Sequence, residues 1–309
     1  MDSLAPSPVV VLAGGTGGAK LARGMLDVAG PDLVVLANTG DDLEIYGARV
    51  CPDPDLCAFW LADRIDDRGW GLKDDTFHVM DGLRELGVEV WFNLGDRDLA
   101  IGLRRAQRLS EGASLTTALA ELTAALGVPA RVLPAAEAPV RTAVRSGGRW
   151  VPFQEFFIRL RAAAPIEDVR FDGVDAATAA DAALQAIATA RAIIVGPSNP
   201  VVSIGPMLAV PGLRAALQAS PAAVVAVSPV VGGQVLKGPT REFLAWAGHT
   251  ADAAGVAAYY GDVLDGVVSD EPAPDVGLPL LRTDTTLGDP GARARVAEEV
   301  LRFAEAMRG

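Results

Sequence analysis

The chain predicts an α/β fold: a doubly wound, mostly parallel Rossmann-like sheet with a smaller α/β insertion. Three observations support this. Short valine-rich apolar runs recur along the 309 residues, helical periodicity separates them, and turns rich in glycine or aspartate follow them. Hydrophobic residues make up 50% of the chain and aromatics only 6%, so branched aliphatics and alanine must fill a core on both faces of the sheet.

Val9–Ala13 is a continuous apolar run, the pattern of a fully buried strand. After the turn Gly14–Gly18, Ala19–Val28 reads as a helix with Leu21, Met25 and Val28 on one face. Asp32–Asn38 is the next strand and ends at Thr39-Gly40-Asp41-Asp42. Strand, helix and strand at this spacing make a βαβ unit, hence a parallel pair. Glu89–Leu94 reads as a further strand ending at Gly95-Asp96-Arg97-Asp98, with helices near Leu99–Leu109 and Leu115–Leu126. Val140–Arg145 and Arg149–Phe153 alternate around Ser146-Gly147-Gly148, as a β-hairpin does. The core is therefore expected over 1–96 and 173–309, and the insertion over 97–172. Asp175–Thr189 reads as a helix, Ala192–Val195 and Ala222–Val227 as buried strands, and Gly266–Ser269 as the last core strand. In the closing helix Asp289 suits the N-cap and Pro290 the first turn, and Val296, Val300, Phe303, Ala304 and Met307 share a face.

The charge balance is 27 Lys and Arg against 39 Asp and Glu, a net of −12, which argues against a general nucleic-acid binder. Cys51 and Cys57 are too few for a disulfide framework, and with His78 and His249 they do not make a zinc pattern. They read as two small half-buried thiols. No signal peptide and no spanning apolar stretch is evident, so a cytoplasmic protein with no membrane partner is expected.

Three constellations carry chemistry. Gly14-Gly15-Thr16-Gly17-Gly18-Ala19-Lys20 matches neither the P-loop nor the dinucleotide fingerprint. It still offers close backbone approach, unpaired N–H groups at a helix start and the Lys20 charge to a phosphate. Asp41, Asp42, Asp53, Asp55, Asp96 and Asp98 lie in loops that a doubly wound sheet brings to one edge, where two or three carboxylates suit Mg²⁺ with substrate phosphates. Asp41 alone would also fit the ribose ligand of a nicotinamide cofactor. The loop Gly196-Pro197-Ser198-Asn199-Pro200 through Ser203 offers uncharged donors for a nucleobase or phosphate.

Taken together these segments resemble the 2-phospho-L-lactate transferase family of coenzyme F420 biosynthesis, over nearly the whole chain. The motifs that carry it are the glycine turn, Asn38-Thr39-Gly40-Asp41-Asp42, Pro52-Asp53-Pro54-Asp55, Leu94-Gly95-Asp96-Arg97-Asp98, Phe153-Gln154-Glu155-Phe156, Gly196-Pro197-Ser198-Asn199-Pro200 with Ser203-Ile204-Gly205, and Val227-Ser228-Pro229. The resemblance implies transfer of a phospho-carboxylic acid unit (phospholactate, phosphoenolpyruvate or phosphoglycerate) from a guanosine diphosphate donor to the ribityl hydroxyl of 7,8-didemethyl-8-hydroxy-5-deazariboflavin, releasing GMP. It further implies Mg²⁺ and a homodimer. Carried over, Asp41, Asp55 and Asp96 are the catalytic candidates, Asp41 and Asp55 also the metal ligands. Gly14–Gly18, Lys20, Asp42, Asp53, Asn93, Arg97, Ser198, Asn199 and Ser203 are the binding candidates. Asn93 stands where some relatives have a lysine, which leaves the acceptor contacts there open. A related family of gluconeogenesis-factor proteins shares the glycine turn, so a non-catalytic nucleotide-binding regulator is the alternative. A nicotinamide-dependent oxidoreductase is the other rival.

Overall fold

The computed structural model describes residues 7–307. Strand β1 (Val9–Ala13), helix α1 (Gly15–Ala29) and strand β2 (Leu33–Ala37) form the expected βαβ unit. A short antiparallel pair, β3 (Leu43–Ile45) and β4 (Ala48–Val50), precedes α2 (Pro52–Leu61), α3 (His78–Glu85), α4 (Asp96–Ser110) and α5 (Leu115–Ala125). Then come β5 (Arg131–Pro134) and a separate antiparallel sheet of β6 (Arg141–Ser146), β7 (Arg149–Pro152) and β8 (Asp168–Asp172). The chain continues through α6 (Asp181–Ala188), β9 (Ala192–Val195), α7 (Gly205–Ala209), α8 (Leu213–Gln218) and β10 (Val224–Val227). A hairpin of β11 (Val230–Val231) and β12 (Gln234–Val235) follows, then α9 (Thr240–Trp246), α10 (Ala253–Tyr260), β13 (Gly266–Ser269), β14 (Leu280–Arg282) and α11 (Pro290–Ala306).

Seven strands make the main sheet in the order β14-β13-β10-β9-β1-β2-β5, every neighbouring pair parallel. Alternate residues of β1 enter opposite cores: Val10 and Leu12 pack toward the α6, α8 and α10 face, Val9, Val11 and Ala13 toward the α1, α2 and α11 face. Both faces are thus covered, as the unbroken apolar runs require. Asp289 caps α11 by accepting from Ala292 N at 2.9 Å, with Pro290 in the first turn as expected.

Four elements depart from expectation. Glu89–Leu94 is not a strand: it has no ladder partner, and Trp91, Phe92 and Leu94 line a cavity instead. The strand beside β2 is β5, so the 97–172 segment gives one strand to the main sheet and holds the three-stranded sheet. Asp175–Thr189 is helical only as a short 3-10 turn at Val174–Ala176 and then over Asp181–Ala188. Gly266–Ser269 is followed by one more core strand, the half-buried edge strand β14. Cys51 and Cys57 are free and fully buried.

The chain runs outward from β1 to β2 and β5, then returns to the other side of β1 with β9, β10, β13 and β14. The order reverses between β1 and β9. In open parallel sheets the crevice beyond the carboxyl ends of such strands is where ligands bind. The Gly14–Gly18 turn leaves β1 there, and the loop 196–199 leaves β9 there.

Candidate functional site

The turn after β1 is held by its surroundings. Gly14, the N-cap of α1, donates its N–H to Ser198 Oγ at 3.1 Å, and Gly15 donates to Asp53 Oδ1 at 2.7 Å. A carboxylate thus meets the N-terminal dipole end of the helix. Gly15 adopts a φ of +62°, which a side chain would strain. Gly17 and Gly18 are constrained differently. A Cβ on Gly17 would lie 2.1 Å from Pro197 O, and one on Gly18 2.5 Å from Ser198 Oγ. The glycine turn and the loop 196–199 interlock, so these glycines serve packing as well as any ligand.

Beside the turn stand two buried carboxylates joined by one amide. Asn38 Nδ2 donates to Asp53 Oδ2 at 2.8 Å and to Asp41 Oδ1 at 3.1 Å. Gly40 N donates to Asn38 Oδ1 at 2.8 Å, which fixes the amide's orientation. Gln154 Nε2 donates to Asp41 Oδ2 at 3.4 Å. Burial raises Asp53 to about 6, against the bonds from Asn38 and Gly15. Burial, then the charge of Asp53, push Asp41 well above the usual carboxylate range.

Asp55 is nearby but committed: both its oxygens accept from the buried Arg105 guanidinium, one of them at 3.1 Å. Asp42 Oδ2 accepts from Arg49 Nη2 at 3.1 Å and from Cys51 Sγ at 3.0 Å. Asp98, in the first turn of α4, is different again. Burial, with the charges of Asp55 and Asp75, lifts it to about 8.

These groups border one cavity of about 1010 Å³. Its floor is the glycine turn, Asp41, Asp53 and the loop 197–203. Its walls include Phe59, Trp70, Phe77, Trp91, Phe92, Phe153 and Phe157, although the chain has few aromatics. Phe153 and Phe157 are stacked, with ring centroids 5.7 Å apart. Three cations line it: Lys20, Arg68 and Lys237. Arg68 is tied to Asp66 by Nε at 2.6 Å. Lys20 sits 5.6 Å from the Trp60 ring centroid, and its ammonium is held below its ordinary value by burial, then by Lys237 and Arg293.

Of the residues singled out from the sequence, Gly14, Gly15, Thr16, Gly17 and Lys20 line this cavity, as do Asp41, Asp53, Asp55 and Asn93. Ser198, Asn199 and Ser203 line it from the other side of the switch point. Asn199 also caps the turn Pro200–Ile204, accepting from Val201 N at 2.9 Å. Gly18 packs beneath the turn, and Asp42 lies behind the cavity in its Arg49 and Cys51 contacts. Asp96 and Arg97 are outside it. Asp96 does not follow a sheet strand; it begins α4 and accepts from Thr76 Oγ1 at 2.6 Å, Val79 N at 2.9 Å and His78 N at 3.1 Å, tying down the loop before α3. Sequence reasoning placed Asp98 only among the edge carboxylates, with no role of its own, and missed Asn38, Gln154, Lys237 and the aromatic wall as candidate site residues. Asn38 and Gln154 stood inside recognised motifs; Lys237 carried no signal.

Among the described residues no group of three or more His, Cys, Asp and Glu side chains is arranged to hold a metal, and no helix is long and apolar enough to cross a membrane. Asp41 and Asp53 fit a hard cation as a pair, because two buried carboxylates share one donor. Asp55, with both oxygens on Arg105, does not.

Sequence comparison matches residues 9–279 to the family described as 2-phospho-L-lactate transferase CofD. A phosphoenolpyruvate transferase of Kitasatospora aureofaciens is 41% identical over 97% of this chain and 98% of its own length. A 2-phospho-L-lactate transferase of Methanosarcina mazei is 36% identical over 85% of this chain and 87% of its own. Among solved structures, a UPF0052-family protein of Bacillus halodurans superposes with a TM-score of 0.64 over 96% of this chain and 99% of its own, at 19% identity, a likeness of fold.

Proposed function

The chain belongs to the 2-phospho-L-lactate transferase CofD family, and on that premise we propose that it moves a phospho-carboxylic acid unit from a guanosine diphosphate donor to the ribityl hydroxyl of a deazaflavin, releasing GMP. The observation that carries this reading is the Asp41–Asn38–Asp53 cluster set against the N-terminus of α1 in one large cavity.

The donor diphosphate suits the floor. Exposed N–H groups of the first turn of α1, the hydroxyls of Thr16 and Ser203 and the Lys20 charge are of the kind that hold phosphate oxygens. The acceptor's flat ring system suits the aromatic walls, where Phe153 stacks with Phe157 and Trp91 meets Phe92 edge to face. In the transfer, the ribityl oxygen bonds to the phosphorus bearing the three-carbon acid. The bridging P–O bond to the nucleoside monophosphate breaks, and its electron pair leaves with GMP. The hydroxyl proton needs an acceptor, which we assign to Asp98: it lines the cavity, and burial lifts its carboxyl to about 8, where a carboxylate is a stronger base than usual. Asp96, engaged with the 76–79 backbone, has no part in this reading.

Asp41 and Asp53 are the residues that would hold Mg²⁺, in place of the Asp41 and Asp55 pair expected from sequence. The ion would neutralise diphosphate charge as it develops on the leaving group. The protein's own contribution is mostly placement: Asn38 and Gly40 fix the carboxylate pair, and the interlocked loops fix the floor.

Kinetics of three variants test the assignment. Asp53→Asn and Asp41→Asn should each lower kcat at least 100-fold and abolish dependence on added Mg²⁺, with the fold retained. Asp55→Asn should instead lose stability through its Arg105 partner. Full turnover by Asp53→Asn would overturn the cluster as the reactive centre.

The alternative, a nucleotide-binding regulator without catalysis, shares the floor but has no use for the aromatic walls and the near-neutral Asp98.

A further inference from the structure

Two cations on the cavity lining are unpaired: Lys20 and Lys237 have no carboxylate partner among the described residues, and they stand near enough for the charge of Lys237 to act on Lys20. Arg68, the third cation on the wall, is already neutralised by Asp66. Behind Lys20 the Arg293 guanidinium stacks on the same Trp60 ring, its Cζ 5.2 Å from the centroid, adding positive potential without an acid to cancel it. In a chain of net charge −12, unpaired cations gathered along one cavity call for a reason.

The two lysines arrive from opposite sides. Lys20 is on α1, two residues past the glycine turn, and helix side chains lean toward the N-terminus, which brings its ammonium to the cavity floor. Lys237 is on the exposed segment after the β11–β12 hairpin. The hairpin's own turn is tethered: Gly232 N donates to Asp270 Oδ2 at 2.6 Å and Arg241 Nη2 donates to Gly233 O at 3.1 Å. The segment Leu236–Gly238 beyond it makes no such backbone bond, and Lys237 rests with Nζ 5.7 Å from the Trp70 centroid, a ring that is itself 60% exposed. A cation parked on an exposed ring is weakly held and is easily recruited by a phosphate.

We propose that Lys237 is a phosphate-binding residue that closes on the donor's diphosphate from the rim while Lys20 holds it from the floor, so that the segment 236–238 acts as a cationic strap. The proposal rests on the transferase reading for the identity of the donor, but not for the chemistry of the clamp, which recognises any diphosphate.

Calorimetry on the full chain tests it with three probes: GDP, GMP and inorganic pyrophosphate. For wild type, GDP should bind at least tenfold tighter than GMP, and pyrophosphate should bind measurably. Lys237→Gln should lose tenfold or more for GDP and pyrophosphate, much less for GMP, with Tm nearly unchanged because Lys237 gives up only its weak contact with the exposed Trp70 ring. Lys237→Arg should restore most of the binding. Trp fluorescence should change on adding pyrophosphate as Lys237 leaves Trp70, and not in Lys237→Gln. Equal GDP and pyrophosphate affinity in wild type and Lys237→Gln overturns the strap whether or not the enzyme turns over. Lysine-dependent diphosphate binding without transfer to a deazaflavin would uphold the strap and overturn the transferase reading.

Discussion

Replacing Gly17 with alanine puts the interlock of the two cavity-lining loops to a quantitative test. The new methyl would sit 2.1 Å from Pro197 O, more than 1 Å inside ordinary contact. The carbonyl has little freedom to retreat, because Gly196 N is bonded to Leu12 O at 2.9 Å and Ser198 Oγ receives Gly14 N at 3.1 Å. Overpacking of this kind costs about 1–3 kcal/mol, and losing the Gly14–Ser198 bond adds about 1 kcal/mol. Replacing a helical glycine by alanine returns up to about 1 kcal/mol. The net expectation is a loss of about 1–3 kcal/mol. Urea titration should show this as a lower midpoint at unchanged m-value, with GDP affinity reduced by tenfold or more. Gly15→Ala is the control: its Cβ meets nothing within 4 Å, so only the strain of φ +62° remains, about 1–2 kcal/mol. A Gly17→Ala protein as stable as wild type, with unchanged nucleotide binding, would refute the interlock.

Four further outcomes follow from the same geometry. Asp98 is raised to about 8, so between the unfolded value near 4 and pH 8 the folded state holds one more proton; stability should fall with rising pH across that window, by on the order of 6 kcal/mol, and Asp98→Asn should flatten it. The same group should give kcat a rising limb with an apparent pKa near 8, absent in Asp98→Asn, and a limb unchanged in that variant would exclude it as the proton acceptor. Arg105→Met should destabilise by about 3–5 kcal/mol in urea, because it strands the buried Asp55 carboxylate; a neutral result would show that the pair contributes nothing. Asp96→Ala should loosen the 76–79 loop to amide exchange while keeping kcat within a few-fold, and loss of turnover with the loop still protected would return Asp96 to the chemistry.

Much of the fold was legible because fully buried parallel strands have to be unbroken apolar runs. β1, β2, β9, β10 and β13 all are, and each was read within two residues of its limits. The edge strands were not. β5 begins with Arg131 and ends with Pro134, and β14 is half-buried, so neither shows the run that marks a central strand. Glu89–Leu94 misled for the opposite reason: its apolar residues line a cavity, a use of hydrophobicity that composition does not separate from a strand. The site was legible as far as topology reaches, since loops after parallel strands converge at one edge. Which aspartate meets which partner was not. Asp55 meets Arg105 across 50 residues and Gln154 meets Asp41 across 113, and no local pattern encodes either.

The central claim is best tested by incubating the purified protein with Mg²⁺, the deazaflavin acceptor and, separately, the guanylylated phospholactate, phosphoenolpyruvate and phosphoglycerate donors, then weighing the products by mass spectrometry. The expected result is GMP in equal amount to a deazaflavin heavier by the phospho-acid of at least one donor, from wild type and not from Asp53→Asn. Tight nucleotide binding with no GMP and no heavier deazaflavin from any donor would contradict it.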